Sequence, residues 1–495
     1  SLLITAGTQL AERSDLQHGG MGGKPKFPSS SSHELLARAG RFPFGQAAKG
    51  AFEMWAKGMA EGGLYDHLGG GFARYSVDEK WLVPHFEKML YDQAQLLGIY
   101  GDVVAQGGAF AARAGEVIAE TVAFLERELS DAEGGLWSSL DADSEGEEGK
   151  FYVFTADEVR AALGKMSALV FNAAYGVTEG GTFEHGSSVL ARVTPRASVG
   201  EEEQLAALRE KLFGARAKRV RPGTDDKVLA SWNGLAIAGL CAAWTATGQP
   251  AALALAVRIA TFLRTRMITG GSLARVFHQG ATKLDGTLED YAFVADGFLH
   301  LAEATGDRAW WDLAAKLVAT AREKFVVEED GVVVMYLAPA GDPLLPHRPE
   351  SHQDGAIPSG AAVLAKALLR LGLVAGDDSA LALAEKYLVQ RLAGAAGVNA
   401  WASSALLAAM DFYLHSKVVV VSDGRGRDAL VAATRGVYSP TTCVAGPWAS
   451  PSVLDAKTAA PDGAARAFVC TGPTCAPPVT EPTALVMLLA AGHAV

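Results

Sequence analysis

Apolar residues recur along this chain with the spacing of α-helices, and the helices that they predict come in pairs. In each pair the first helix is apolar on nearly all sides, a short break containing Gly follows, and the second helix carries charge along one face. A helix that is apolar all round is typical of a buried position, whereas an amphipathic helix is typical of an outer layer. Four such pairs are predicted, at residues 84–100 with 110–129, 232–245 with 251–267, 288–304 with 309–325, and 358–371 with 379–392.

Two further segments extend this pattern towards six pairs. A weaker pair covers residues 33–39 and 46–60, and another apolar helix of the inner kind is predicted over residues 400–414. Six inner–outer pairs are what an (α/α)6 barrel, or six-hairpin toroid, requires. A right-handed solenoid of helix hairpins is the competing architecture, because it repeats the same unit without closing. We predict a mainly α fold with the (α/α)6 barrel at its centre.

Two stretches interrupt the helical pattern and suggest how the chain is divided. Residues 137–155 predict a small β excursion, which opens an insertion near residues 137–225. The run KVVVV at residues 417–421 predicts a buried strand, with a helix from Asp428 and extended segments after it. The predicted parts are an N-terminal linker segment (1–30), the barrel with its insertion (31–415), and a small C-terminal α/β appendage packed on the barrel (416–495).

The predicted inner helices begin with polar and aromatic clusters, whereas the outer helices do not. If the inner helices run parallel, their first turns meet at one end of the barrel, which we call the mouth. Capping preferences explain Ser231 and Ser359, but they do not explain the aromatic residues beside such caps. These rings either belong to the core or stack on a sugar while polar groups bind its hydroxyls. The aromatic candidates are Phe72, Tyr75, Trp81, Phe86, Trp232 and Tyr291, and the polar ones are Arg74, Asn233, Asp354 and Ser359.

The stretch after Pro84 carries the candidate catalytic base. Proline suits the first helical position, because its missing N–H would be unsatisfied there in any case. His85 is then expected in the first turn, where the positive end of the helix dipole opposes protonation and leaves an imidazole that can accept a proton. Glu87 lies in the same turn and Asp92 returns to the same face seven residues after His85, so either could orient the ring.

Other acidic residues are candidates for the second proton-transfer group. Asp290, Glu289 and Asp143 are the three that we consider. The acidic run that starts at Asp141 resembles the first half of an EF-hand loop, but Tyr152 stands where the closing glutamate should be, so no metal is expected. That run is either a carboxylate cluster at the mouth or a solvated turn.

Two short motifs admit both a functional and a structural interpretation. Asp66 and His67 are either a base with its orienting carboxylate or residues with buried structural hydrogen bonds. Cys470 and Cys475 form a C-x4-C pair that matches neither the C-x-x-C redox motif nor a complete zinc site. For the cysteines we favour a structural loop over a metal or redox role.

Composition narrows the class of partner. The formal net charge is −11 and no long block of Lys or Arg is present, so neither nucleic acid nor an anionic membrane is expected to bind. No apolar run reaches the ~18–20 residues that span a bilayer. Four cysteines in 495 residues do not make a disulfide scaffold, which favours a reducing, cytoplasmic setting. No cofactor is expected, and the sequence leaves the oligomeric state open.

Ordered motifs between residues 24 and 480 resemble the spermatogenesis-associated, thioredoxin-domain-containing family. They are KPKFP (24–28), GGLYDHLGGGFARYSVDEKWLVPHFEKMLYDQAQL (62–96), DADSEGEEGKFYVFT (141–155), DDKVLASWNGLAIAGL (225–240), LEDYAFVADGFL (288–299), DGAIPSG (354–360) and FVCTGPTCAPPVT (468–480). The resemblance implies an (α/α)6 barrel like those of six-hairpin glycosidases and N-acylglucosamine 2-epimerases. Members of the family usually carry a thioredoxin-like domain before the KFP segment, and this chain is expected to lack it.

Three hypotheses about function follow, with a small sugar or sugar derivative as the expected partner of an enzyme. The leading one is a sugar epimerase or isomerase, in which His85 removes a proton beside the ring-opened carbonyl and a second acid or base returns it. One alternative is a non-catalytic carbohydrate- or protein-binding module. The other is a glycoside hydrolase that uses two carboxylates chosen from Glu87, Asp141, Asp143, Glu289 and Asp290.

Overall fold

Helices dominate the computed structural model, which describes residues 2–341, 345, 347–393 and 399–490. In chain order its helices are α1 (Leu2–Glu12), α2 (Ser30–Gly40), α3 (Gln46–Glu61), α4 (Leu90–Gln106), α5 (Ala111–Glu128), α6 (Ala156–Leu163), α7 (Lys165–Tyr175), α8 (Val199–Arg216), α9 (Ala230–Thr247), α10 (Pro250–Phe262), α11 (Leu288–Thr305), α12 (Arg308–Phe325), α13 (Gly360–Ala375), α14 (Asp378–Leu392), α15 (Ser404–His415), α16 (Arg427–Ala433), α17 (Pro451–Leu454) and α18 (Pro482–Ala490). Its strands are β1 (Tyr75–Ser76), β2 (Pro84–His85), β3 (Lys88–Met89), β4 (Ser139–Leu140), β5 (Asp143–Ser144), β6 (Glu147–Glu148), β7 (Thr224–Asp225), β8 (Val228–Leu229), β9 (Ile268–Thr269), β10 (Ser272–His278), β11 (Ala281–Asp285), β12 (Val326–Glu329), β13 (Val332–Met335), β14 (Lys417–Val421), β15 (Thr442–Val444), β16 (Ala467–Thr471) and β17 (Thr474–Cys475).

The inner helices form a closed ring. Helices α2, α4, α9, α11, α13 and α15 pack side by side in this order, and α15 packs back onto α2. Helices α3, α5, α10, α12 and α14 each lie outside the inner helix that precedes them, and α1 packs on α2 and α3. Because the last inner helix contacts the first, this is a barrel and not an open solenoid. The predicted (α/α)6 fold is confirmed for the described residues, with α1 as an outer helix inside the segment 1–30 that the sequence indicated as a linker.

The start of α4 differs from the prediction. This helix begins at Leu90 and not at Pro84. Pro84 and His85 form β2, which pairs antiparallel with β1, and Lys88 and Met89 form β3, which pairs with β4. These ladders satisfy the backbone groups with partners from other parts of the chain, which the local preference of proline for a helix start cannot reveal. The prediction that His85 lies in a first helical turn is therefore wrong, and the helix dipole does not act on it as we argued.

Helices α9 and α11 approach each other closely because both carry glycine at the contact. A Cβ atom added to Gly234 would lie 2.5 Å from the carbonyl carbon of Phe293, and one added to Gly297 would lie 2.7 Å from the carbonyl oxygen of Gly234. Such distances are far below van der Waals contact, so no larger residue fits without moving a backbone. The apolar inner helices thus pack backbone against backbone in this part of the ring.

Replacing Gly234 by alanine is expected to lower the free energy of unfolding by about 1–3 kcal/mol, because the added methyl group overpacks this contact. The matched control is Gly115→Ala in the outer helix α5, where an added Cβ meets no atom within 4 Å. Alanine there is expected to add about 0.5–1 kcal/mol, since it costs less conformational entropy than glycine in a helix. Urea denaturation checks both, and equal stability of the two variants would contradict the close approach.

An insertion separates α5 from α9. It contains the hairpin β5–β6 and helices α6, α7 and α8, and the predicted β excursion over residues 137–155 is confirmed by β4, β5 and β6. Strands β3, β4 and β7 join in one sheet in that order, so the two ends of the insertion are held beside the start of α4. The insertion has a core of its own, which includes Phe154, Val159, Phe171, Tyr175 and Leu212.

The C-terminal appendage covers one end of the barrel. Its sheet has the strand order β15-β14-β16-β17, and α16 and α18 pack on one face of it. The N–H of Gly436 donates to the carbonyl of Thr245 near the end of α9, and the N–H of Ser450 donates to that of Val374 near the end of α13. These contacts place the appendage at the carboxyl ends of the inner helices, so the mouth is the opposite end. The last five residues of the predicted appendage lie outside the described residues.

The C-x4-C motif forms a disulfide bond. Cys470 in β16 and Cys475 in β17 are opposite each other in the antiparallel ladder, and their sulfur atoms are bonded. Cys241 and Cys443 are buried and free. The motif therefore staples a hairpin of the appendage, a pairing that its spacing alone did not predict.

Candidate functional site

A histidine with a carboxylate partner lies at the mouth. Nδ1 of His85 is 2.7 Å from Oε1 of Glu148, and its Nε2 is 3.7 Å from Oε2 of Glu87. A carboxylate only accepts hydrogen bonds, so Nδ1 of the neutral ring carries the proton and Nε2 keeps its lone pair. About 29% of the His85 side chain is exposed. His85 is therefore oriented, accessible and able to accept a proton at Nε2.

The aromatic ring of Tyr75 holds the imidazole of His85 in place. The register of β1 and β2 sets Tyr75 opposite His85, and the two rings stack with centroids 5.0 Å apart. Tyr75 also contacts Phe27, with ring centroids 4.8 Å apart. Together with the bond to Glu148, this stacking restricts the plane of the imidazole and so the direction of the Nε2 lone pair.

Charged residues from the segment before α4, and aromatic residues from α4 and α9, complete this part of the mouth. Nη1 of Arg74 donates to Oε2 of Glu87 at 3.0 Å. Tyr91 and Trp232, each in the first turn of an inner helix, meet edge to face with centroids 4.8 Å apart. Burial raises the pKa of Tyr91 to about 12, so its hydroxyl group stays protonated. We call the following residues the rim cluster: Arg74, Tyr75, His85, Glu87, Tyr91, Glu148 and Trp232.

Asp92 does not have the role that the sequence suggested. It is 4% exposed, and its Oδ2 has no hydrogen-bond partner in the part of the chain that the structure describes. Burial raises the pKa of Asp92 well above its usual range, although Arg74 opposes the shift. The hydrogen-bond partner that orients the ring of His85 is Glu148 and not Asp92.

A cavity of about 260 Å³ lies inside the barrel, and we call it the barrel cavity. Gln95 follows Tyr91 by one helical turn on α4, Leu235 follows Trp232 by about one turn on α9, and both line the cavity. The rim cluster is thus at its upper edge. All six inner helices contribute to the wall, whose charged and imidazole side chains are Glu34, Arg38, Asp102, Asp296, His300, Lys366 and Arg370.

Two arginines of the barrel cavity are held by side chains around them. Arg38 pairs with Glu34 at 2.7 Å, and Arg370 pairs with Glu303 at 2.7 Å. Nη1 of Arg370 also donates to Nε2 of His300 at 2.8 Å. Burial and the charge of Arg370 lower the pKa of His300 to about 3. His300 is therefore neutral, and its lone pair is already engaged.

Two carboxyl groups of the cavity are held in opposite protonation states. Burial, reinforced by the charge of Glu34, raises the pKa of Asp102 to about 8, so Asp102 is a neutral acid at pH 7. Burial also acts to raise the pKa of Glu34, but Arg38 and Lys366 outweigh it and lower that pKa below its usual value. A proton donor and a proton acceptor consequently face the same space.

The adjacent residues Asp66 and His67 bind separate partners. Asp66 accepts from Nζ of Lys88 at 2.8 Å and from both terminal nitrogens of Arg216 at 2.8 Å. Nε2 of His67 is 2.9 Å from the carbonyl oxygen of Gly62. Burial lowers the pKa of His67 to about 4, so the ring is neutral and donates to that carbonyl. The structure gives these two residues the structural role that we considered for them.

Three of the predicted aromatic residues belong to the core. Phe72, Trp81 and Tyr291 are fully buried. Nε1 of Trp81 donates to the carbonyl of Gly19, and the hydroxyl of Tyr291 accepts from the N–H of Leu273. Tyr75 and Trp232 are the predicted aromatic residues that the structure brings to the rim cluster.

Polar residues at the starts of α9 and α11 bind backbone groups. The carboxylate of Asp290 accepts from the N–H of Ser231 and from that of Thr287. The amide of Asn233 bonds both the N–H and the carbonyl of Leu136. Both residues therefore join inner helices to neighbouring segments and are engaged in the fold.

Asp354 links the starts of two inner helices. Its carboxyl oxygens accept from the N–H of Ser359 at 2.9 Å and from that of Ala405 at 2.8 Å. Burial raises the pKa of Asp354 to about 6, against the effect of these hydrogen bonds. The hydroxyl of Ser359 in turn caps α13 by accepting from the N–H of Ala362. The segment between them reaches the mouth, where Gln95 donates to the carbonyl of Ala356 at 2.9 Å.

The remaining acidic candidates lie at the edge of the mouth. Asp141 and Asp143 are exposed, and Asp143 is opposite Glu148 in the β5–β6 hairpin. Glu289 is partly buried in the first turn of α11, and burial raises its pKa. Sequence reasoning missed Glu148, which is 63 residues from His85 and gives no local signal of the contact.

Other kinds of site find no support in the described ranges. No group of three or more His, Cys, Asp or Glu residues there is arranged to hold a metal ion. None of the helices in those ranges is both long and apolar enough to cross a membrane.

Sequence comparison finds relatives that match most of this chain. Human spermatogenesis-associated protein 20 is 32% identical over 550 residues, which cover 97% of this chain and 68% of the human protein. The mouse protein of the same name is 35% identical over 417 residues, which cover 73% of this chain and 52% of the mouse protein. The chain therefore spans between about half and two thirds of the length of these relatives. No family model matches it.

The solved structures that match this fold are distant in sequence. A family 76 glycoside hydrolase (mannosidase) from Bacteroides thetaiotaomicron is 10% identical with a TM-score of 0.47, covering 79% of this chain and 88% of that one. A sugar epimerase from a ruminal bacterium is 12% identical with a TM-score of 0.32, and the match covers 68% of this chain and 92% of the epimerase.

Proposed function

This chain belongs to the spermatogenesis-associated protein 20 family, and on that premise we propose that it epimerises or isomerises a sugar by acid–base catalysis at its mouth. The name of the family states no reaction, so the proposal depends on the site. The observation that carries it is the pairing of His85 with Glu148, which leaves Nε2 of the ring free beside Glu87. An oriented, partly exposed imidazole of this kind is suited to general base catalysis.

In the proposed reaction, Nε2 of His85 takes the proton from the carbon next to the carbonyl of the ring-opened sugar. The electron pair of that C–H bond moves onto the carbonyl oxygen and forms an enediolate. Return of a proton to the opposite face of the same carbon gives the epimer, and return to the neighbouring carbon gives the isomer. Glu87 is the second proton-transfer group for the isomerisation, because its Oε2 lies 3.7 Å from Nε2 of His85 and both groups therefore act on one face of the intermediate.

The rest of the rim cluster has the chemistry to hold a sugar. Trp232 presents aromatic surface at the start of α9, where the buried ring of Tyr91 from the neighbouring inner helix packs against it. Sugars stack on such surfaces through their C–H groups. Arg74, with about 41% of its side chain exposed, offers N–H donors to hydroxyl oxygens while it also binds Glu87. This combination favours a polyhydroxylated substrate over an apolar one.

A glycoside hydrolase is the second candidate, and a different observation favours it. Asp102 and Glu34 face the barrel cavity with pKa values shifted in opposite directions. In hydrolysis Asp102 would protonate the leaving oxygen of the glycosidic bond, while Glu34 takes a proton from the attacking water. Neither Asp102 nor Glu34 was among the carboxylates that the sequence suggested for a hydrolase. One of those suggested, Asp290, is already bound to backbone N–H groups.

Proton exchange with deuterated water tests the proposal. The protein is incubated with a panel of free and phosphorylated aldoses and ketoses and with short oligosaccharides, and deuterium at carbon is followed by NMR. We expect deuterium next to the carbonyl carbon of at least one sugar, together with the epimer or isomer. Release of new reducing ends from glycosides without exchange would favour the hydrolase, and binding without either reaction would favour a non-catalytic module.

A further inference from the structure

The floor of the barrel cavity and the rim cluster at its upper edge are too far apart to contact one sugar ring. Asp102, which lines the cavity, follows Tyr91 of the rim cluster by eleven residues on α4. At 1.5 Å per residue, the two positions are about 16 Å apart along the helix axis. A pyranose ring that reaches His85 therefore leaves the lower part of the cavity empty.

The lower end of the cavity is closed by the appendage. Pro440 and Thr442 line it together with Arg370 from the last part of α13. The appendage is bonded to the ends of the inner helices, for example by the N–H of Gly436 to the carbonyl of Thr245 at 3.1 Å. A ligand thus enters from the mouth and brings one of its ends to the cavity floor.

Three polar groups of the cavity lack hydrogen-bond partners in the described residues. Nζ of Lys366 has Asp296 at 4.0 Å as its nearest carboxylate, and the carboxyl group of Asp102 makes no hydrogen bond or ion pair there. Asp296 is 7% exposed, and its Oδ1 is buried without a hydrogen bond. Buried polar atoms are normally satisfied, so the orphaned Oδ1 of Asp296 indicates a missing ligand, to which the partly exposed Lys366 and Asp102 offer further polar contacts.

The donor and acceptor pattern of these groups identifies the kind of ligand. The ammonium group of Lys366 needs acceptors, the carboxylate of Asp296 needs donors, and the neutral carboxyl group of Asp102 offers one donor as well as acceptors. Hydroxyl groups supply donors and acceptors together. The cavity volume of about 260 Å³ is below the range of about 300–1,000 Å³ for drug-sized ligands. It accommodates one sugar unit and not a longer chain.

We propose that the barrel cavity binds the non-reducing terminal unit of an oligosaccharide whose reducing unit reacts at the rim cluster. This inference depends on the proposed function, because only the reducing end carries the carbonyl group that His85 needs. The substrate is then a sugar of two or more units, and the terminal unit is recognised by Asp102, Asp296 and Lys366. The additional contacts at the floor raise the affinity for oligosaccharides over that for monosaccharides.

Calorimetric binding and proton exchange are measured for sugars of one, two and three units, built from glucose and from mannose in both anomeric linkages. Lys366→Met removes the ammonium group, and Gly98→Leu fills the cavity, because a Cβ added to Gly98 meets no atom within 4 Å. The matched controls are Lys316→Met on the exposed side of α12 and Gly115→Leu on α5. His85→Asn serves to separate binding from chemistry.

We expect at least one sugar of two or three units to bind at least 10-fold more tightly than its monosaccharide. Lys366→Met and Gly98→Leu should remove this advantage by raising KM, while the two controls keep it. Equal affinity for all lengths, or an unchanged advantage in Gly98→Leu, would overturn the inference even if exchange occurs. Binding of the longer sugar to His85→Asn and to the wild-type protein, without exchange in either, would overturn the proposed function and leave the cavity assignment standing.

Discussion

Replacing His85 by asparagine is expected to lower the rate of proton exchange from sugar into deuterated water by about 10²–10⁴-fold, the usual contribution of a general base. Asparagine is similar in size and still donates a hydrogen bond towards Glu148, so the fold should not change. It has no lone pair basic enough to take a proton from carbon. The exchange rate is measured by NMR at saturating sugar, so that a loss in kcat is distinguished from a change in KM.

The matched control for this variant is His278→Asn. His278 is also a partly exposed histidine with a carboxylate partner, since its Nε2 lies 3.0 Å from Oδ1 of Asp226, but it is not in the rim cluster. We expect it to exchange at the wild-type rate. Glu148→Gln should lower the exchange rate about 10-fold. A glutamine amide both donates and accepts hydrogen bonds, so it no longer fixes the tautomer of His85. Equal losses in the His85 and His278 variants would show that His85 is not the base.

The barrel could be predicted from the sequence because its signal is local. Whether a helix such as α11 is apolar on all sides depends on residues within four turns of one another, and the pairing of inner and outer helices repeats that signal along the chain. The contact between α15 and α2, which closes the ring, joins segments that are distant in the sequence. Only the number of predicted helix pairs, close to the six that a closed barrel requires, suggested this contact. The prediction failed at His85, where the pairing of β2 with β1, and of the following β3 with the distant β4, replaced the helix start that Pro84 indicated.

The candidate site could be predicted in part. The convergence of inner-helix starts placed Trp232 correctly near the mouth, whereas Tyr291 of the same pattern is in the core. The few charges in the otherwise apolar inner helices, among them Lys366 and Asp102, are a signal that we did not use. A charged residue there is almost never buried without a partner, so its presence points to an interior polar site. The contact of Glu148 with His85 had no comparable signal.

Asp66 joins the insertion to the barrel through a buried ion cluster. Arg216 at the end of α8 and Lys88 in β3 both bind its carboxylate, and the three side chains are 4–8% exposed. Burial acts to raise the pKa of Asp66, but the charges of Arg216 and Lys88 outweigh it and hold that pKa well below its usual range. The aspartate is therefore ionised throughout the neutral range and pairs with two buried cations.

Asp66→Asn is expected to lower the free energy of unfolding at pH 7 by about 3–5 kcal/mol, because it leaves two buried cations without their carboxylate. Urea denaturation followed by circular dichroism measures the loss. A group with a depressed pKa in the folded state stabilises the fold above its unfolded pKa, so the gap between wild type and variant should persist above pH 5 and shrink as the pH falls below the ordinary value of 3.8.

An exposed ion pair provides the control for Asp66→Asn. Asp157 pairs with Arg160 at 2.5 Å, but its side chain is 89% exposed, and solvent screens such pairs strongly. Asp157→Asn in α6 should leave the free energy of unfolding nearly unchanged at every pH. If Asp66→Asn were equally harmless, Lys88 and Arg216 would have found other partners, and the insertion would be held by its sheet β3-β4-β7 alone. A large loss of stability confined to Asp66→Asn would show that the aspartate connects α8 to β3, the strand that leads into α4. The same contact would then stabilise the part of the barrel that carries the rim cluster.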